Sequence, residues 1–193
     1  DLIKTHQKSV TVSVSGETKK NNHLSRSGAK NNQNIYLTGK LGLARKGLEE
    51  INKNFNKNIY RKKNVKRFIF PQLRLEISNS ISKFASSCID VSDGFIADLE
   101  KILISSKLGA VIDLDEIPRA DKLSLEDFTF GDDLELIFTA DKKHHKKIIK
   151  LSDNSGTKIN LIGHTRKNSK IKYILNNDEV KFPRKKGWNH GEK

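Results

Sequence analysis

The chain has 193 residues, 35% apolar and 31% charged, with only 3 Pro and 12 Gly, which excludes wholesale disorder and collagen-like repetition and leaves room for one good-sized core. No apolar run approaches the ~18 residues of a membrane span, Asp1 to Gln7 lack the features of a secretory leader, and the single Cys88 cannot close an internal disulfide, so a cytoplasmic location is expected. The net charge of +14 attracts phosphates of any kind, but 29 of the 37 basic residues are Lys, and because base readout favours Arg, nucleic acid is not the expected partner.

Alternation of apolar and polar residues from Val10 to Val14 predicts a strand that Gly16 ends. Glu17 to Asn34 reads as a polar linker, Ile35 to Thr38 as a second strand, and Leu43 to Ile51 as a helix. The basic stretch from Asn52 to Lys66 is expected to be a solvated insertion or connection. Pro71 then precedes Leu73, Leu75, Ile77, Ile81 and Phe84 at helical spacing. Cys88 to Val91 reads as extended, Ser92-Asp93-Gly94 as a turn, and Phe95 to Leu103 as a helix. Strands are expected at Ala110 to Leu114, Glu135 to Thr139, Lys158 to Gly163 and Ile171 to Leu175, with a basic helix at Lys142 to Lys150. Such alternation predicts an α/β sandwich, and the absence of Met together with a start at Asp1 reads as a piece of something longer.

Chemistry concentrates in a few places. Asp90-Val91-Ser92-Asp93-Gly94 sets two carboxylates and a hydroxyl at a strand-to-helix turn, where they either cap the helix or converge on a hard cation such as Mg²⁺. Backbone N–H groups at that helix start would then face substrate phosphates. Asp98, on the helix itself, is expected to be solvated or paired. Gly131-Asp132-Asp133-Leu134-Glu135 crowds three carboxylates ahead of an apolar strand, which is either an ordinary turn or a place that needs a cation or a cationic ligand. Arg26 lies in the loop Leu24-Ser25-Arg26-Ser27-Gly28-Ala29-Lys30, and Trp188, the only Trp, offers a flat face near the end of the chain. No zinc-like spacing and no Walker-type glycine loop is present.

The order Arg-Ser-Gly-Ala-Lys, Asp-Val-Ser-Asp-Gly, Gly-Asp-Asp-x-Glu-Leu and Gly-Trp-Asn-His resembles the thiamine-monophosphate kinase family, as do Ile35 to Gly42 and Arg67-Phe68 leading to Pro71 and Arg74. The resemblance implies a mixed-sheet α/β sandwich of the aminoimidazole ribonucleotide synthetase C-terminal type. Residues 1–16 would be the last strand of an N-terminal ATP-binding and dimerisation domain otherwise absent, 17–34 a linker, and 35–193 the C-terminal domain. It implies Mg²⁺-dependent transfer of the ATP γ-phosphoryl to thiamine phosphate, in a homodimer when complete. By motif position, Asp90, Asp93 and Asp1 would hold the metal, Arg26 and Ser92 would contact ATP, and Glu135 and Trp188 would bind thiamine phosphate. Leu134 stands where the family often has Tyr, and the chain by itself is expected to be inactive or nearly so. The alternatives are another ATP-dependent enzyme of the same superfamily and a basic nucleic-acid-binding domain.

Overall fold

A computed structural model describes residues 11–18, 23–53, 58–120, 124–182 and 187–188. Its centre is β1 (Asn34–Thr38), buried along its whole length because both faces are covered. Ile35 and Leu37 point into one apolar cluster and Tyr36 into another, as a period of two requires. The remaining strands are β2 (Ala85–Asp90), β3 (Gly109–Asp113), β4 (Leu136–Ala140), β5 (Ile159–Arg166), β6 (Ile171–Leu175) and β7 (Asp178–Val180). They form one seven-stranded sheet in the order β2-β4-β1-β5-β3-β6-β7. Only the β3–β6 pair is parallel, so the sheet is mixed.

The larger cluster packs α4 (Phe95–Ser105) against the sheet through Phe95, Ile96, Leu99, Ile102 and Leu103. On the opposite face α3 (Leu75–Ile81) and α5 (His145–Ser155) bring Ile77, Ile81 and Ile148 onto Tyr36, Phe138 and Ile159. The expected α/β sandwich is therefore formed, with helices on both faces of the sheet. Among the described residues no helix is long and apolar enough to cross a membrane.

Three expectations change. Thr11 to Val14 do not form a strand: Val12 is 78% and Val14 90% exposed, because no described strand lies alongside to complete a ladder, and Val10 is outside the described residues. The basic stretch from Asn52 to Lys66 does connect two helices, as one expected alternative had it, but apart from 54–57, which lie outside the described residues, it is more ordered than a solvated insertion. It folds into a turn at Ile59–Arg61 and α2 (Lys63–Ile69), which packs on α1 (Leu43–Lys53) with Ile59 and Val65 fully buried. Two apolar residues inside a basic run dock it, together with Asn64 Nδ2, which donates to Glu50 Oε1 of α1 at 2.8 Å. Finally, Leu73 and Leu75 lie outside the core, and α3 contributes only Ile77 and Ile81.

Ahead of β1, Leu24 and Ala29 pack against the two clusters. Gln33 is buried, donating to Ser86 Oγ at 2.7 Å and Asp141 Oδ1 at 3.1 Å.

Candidate functional site

The two acidic segments meet at one end of the sheet. Continuing the β2–β4 ladder, Val91 N–H donates to the Glu135 carbonyl at 2.8 Å, Leu134 N–H to the Val91 carbonyl at 2.9 Å, and Asp132 N–H to the Ser92 carbonyl at 3.0 Å. Gly131 permits this closure, since a Cβ there would collide with the Ser92 carbonyl. Asp132 and Leu134 take the left-handed conformation, with φ of 64° and 51°. For Leu this is strained, and such strain persists where surrounding structure holds it in place.

At the β2–α4 turn the helix-capping role belongs to Asp98, not to Ser92. Asp98 is fully buried, and its Oδ2 accepts the N–H groups of Ser92, Asp93 and Gly94 at 3.0, 2.9 and 3.1 Å. Those three donors of the turn are therefore already engaged within the chain. Lys101 Nζ bridges Asp93 Oδ2 at 2.5 Å and Asp98 Oδ1 at 2.7 Å. Partial burial alone would lower the Lys101 ammonium, but its hydrogen bonds to Asp93 and Asp98 prevail and hold it above its ordinary value. Asp90 is exposed at the end of β2, beside a hollow of about 200 Å³ that Arg74, Ser78 and Leu134 also line.

Glu135 is 1% exposed and fully engaged. Its Oε2 accepts from Thr38 Oγ1 at 2.7 Å and Arg74 Nε at 2.7 Å, and its Oε1 from Arg74 Nη2 at 2.5 Å and Arg67 Nη2 at 3.0 Å. Both oxygens thus balance two guanidiniums, and a cationic ring would have to share that charge. Asp133 plays a different part, accepting Gly42 N–H at 2.6 Å and Ala44 N–H at 3.1 Å and so closing the start of α1. Burial raises its carboxyl to about 6, against the opposing pull of those N–H groups and of Arg67.

Trp188 joins the same end, its backbone N–H donating to the Asp93 carbonyl at 2.8 Å while the residue stays 62% exposed. Gly187 makes room, since a Cβ would strike that carbonyl and Ala97. Asp90, Ser92, Asp93, Glu135 and Trp188 are thereby gathered. Arg26 is set apart, exposed on the flank of β2, where Ser25 accepts the Cys88 N–H at 2.9 Å. Asp1 lies outside the described residues.

No group of three or more His, Cys, Asp or Glu side chains able to hold a metal occurs among the described residues. A pair of carboxylates on one turn suits Mg²⁺, which completes its shell with phosphate oxygens and water. Of the two alternatives expected for Asp98, solvated or paired, it is paired, with Lys101 as the partner; neither Lys101 nor the capping part of Asp133 is expected from the sequence, and Arg67 and Arg74 enter there only as motif matches. The i,i+3 spacing of Asp98 and Lys101 was a legible signal of pairing.

Residues 32–176 match the family described as AIR synthase related protein, C-terminal domain. The chain is similar to the thiamine-monophosphate kinase of Buchnera aphidicola subsp. Schizaphis graminum (strain Sg), 33% identical over 196 residues that cover 94% of this chain and 60% of the relative. The crystal structure of thiamine-monophosphate kinase from Stenotrophomonas maltophilia K279a superposes with a TM-score of 0.69 at 25% identity, covering 78% of this chain and 52% of that one. AaThiL complexed with AMPPCP and TMP shares the fold, with a TM-score of 0.69 at 23% identity over 86% of this chain and 54% of its own. The chain spans about 60% of the length of the curated relatives it matches over most of its own length.

Proposed function

The chain belongs to the AIR synthase-related family by its C-terminal domain, and from that membership we propose that it serves a thiamine-monophosphate kinase, transferring the γ-phosphoryl of ATP to thiamine phosphate to give thiamine diphosphate and ADP. One observation carries the reading: the Asp90–Gly94 turn, the Gly131–Glu135 turn and Trp188 are tied together by backbone hydrogen bonds at one end of the sheet. Three motifs far apart in sequence thus share one place.

The acceptor in this reaction is a phosphate oxygen, anionic before the reaction begins, so no general base is needed. What the protein supplies is positioning and charge neutralisation. Asp90 and Asp93 would hold Mg²⁺, whose bound charge offsets that of the two phosphorylated substrates. Lys101 keeps the Asp93 carboxylate oriented meanwhile. Ser92 and Arg26 would contact ATP. Trp188 would present its exposed face to the thiamine ring, and Glu135 would act on that side chiefly by fixing Arg67 and Arg74. Asp1 is proposed as a further metal ligand. Residues 1–16 are proposed to belong to an ATP-binding and dimerisation domain, with the reaction run by a homodimer in the cytoplasm.

The test is the reaction itself, on the protein at its expressed length, with γ-labelled ATP, Mg²⁺ and thiamine phosphate. Label is expected in thiamine diphosphate and should fall at least a hundredfold with Asp93→Asn. Label reaching only water or another acceptor, or transfer indifferent to Asp93→Asn, would contradict the proposal.

A further inference from the structure

Behind Glu135 lies a cavity of about 700 Å³ between α2, the loop after β1 and the approach to β5, a volume typical of small-molecule sites. Six cations line it: Lys40, Lys63, Lys66, Arg67, Arg74 and Lys158. Its one acidic lining residue is Glu135, whose two oxygens are already taken by Arg67 and Arg74. None of the four lysines has a carboxylate partner among the described residues. Arg67 Nη1 is buried with no acceptor among the described residues, and a buried donor left unpaired is costly.

A concave surface of one sign of charge focuses its field on whatever enters. Here the field is positive, which disfavours a thiazolium or any other cation and favours phosphate oxygens, to which arginines and lysines donate strongly. Tyr60 and Phe70 add aromatic faces at the rim, suited to a ring carried by the same ligand. We propose that this cavity is a second site, distinct from the Asp90–Asp93 turn, for a small phosphate-bearing ligand. The inference goes beyond the phosphotransfer reading, which uses Arg67 and Arg74 through Glu135 but none of Lys40, Lys63, Lys66 and Lys158.

The experiment is calorimetric titration of the chain with inorganic pyrophosphate in EDTA, where no divalent cation can recruit phosphate to Asp93. One saturable site is expected, weakened at least tenfold by Lys63→Glu/Lys158→Glu, both exposed side chains, and unchanged by Asp93→Asn. The milder pair Lys40→Ala/Lys66→Ala repeats the test if charge reversal disturbs folding. No saturable binding at millimolar pyrophosphate, several weak equivalents per chain, affinity indifferent to the lysine changes, or equal loss in Asp93→Asn would each overturn the proposal.

Discussion

Arg74 grips Glu135 with two guanidinium nitrogens, Nε at 2.7 Å from Oε2 and Nη2 at 2.5 Å from Oε1, and both residues are almost wholly removed from solvent. A bidentate pair of this kind is rigid, and its carboxylate also holds Arg67. Glu135→Gln would leave two buried cations uncompensated and should lower the unfolding free energy by about 3–5 kcal/mol. Urea denaturation measures it. A loss below about 1 kcal/mol would mean that the pair is solvated and holds nothing in place.

The Asp98 carboxylate gathers three backbone N–H groups and Lys101. Asp98→Ala orphans those donors and should cost about 3 kcal/mol, with Asp98→Asn losing less because one acceptor oxygen remains. Amide hydrogen exchange provides the check: Ser92, Asp93 and Gly94 should lose protection before the interior of α4 does. Retained protection at those three amides would contradict the assigned cap.

Much of this architecture was legible in the sequence. The period-two pattern of Ile35, Tyr36 and Leu37 and the helical spacing of Phe95, Ile96, Leu99, Ile102 and Leu103 are local signals, and both elements form as read. The strand at Thr11 to Val14 carries an equally good local signal, yet a ladder needs a neighbour that the described residues do not provide. α2 was obscured because charge dominates its composition, while Ile59 and Val65 do the docking. The acidic clusters were visible, but that Asp133 closes the start of α1 while Glu135 pairs with arginine depends on partners 61 to 91 residues away. No local pattern encodes that.

Asp133 makes the chain sensitive to pH in a defined direction. Its carboxyl stands at about 6 in the folded chain against an ordinary 3.8, so between those values the folded state holds a proton that the unfolded state has released. Its stabilising contribution is full below about pH 4 and is lost as pH rises through about 6, a change of roughly 3 kcal/mol. Urea denaturation of the wild type and Asp133→Asn at pH 4, 5, 6 and 7 isolates it. The stability of the wild type relative to the variant should decline across that range, and a constant difference would contradict the assignment.

Cys88 should be a quiet thiol. Burial first, and then the charge of Asp90, push it up to about 12, so very little thiolate exists at pH 8. Alkylation by iodoacetamide should run at least a hundredfold slower in the folded chain than in urea, as followed by mass spectrometry. Comparable rates would show that the β2 edge opens readily.

The most direct test uses Trp188, the only tryptophan, bonded to the Asp93 carbonyl and exposed at the site. Its fluorescence is titrated with thiamine phosphate, with and without an Mg²⁺-bound ATP analogue, and with inorganic phosphate as control. Saturable quenching by thiamine phosphate, and none by phosphate, is the predicted result. Quenching that never saturates, or that inorganic phosphate reproduces, would contradict a thiamine phosphate site at this end of the sheet.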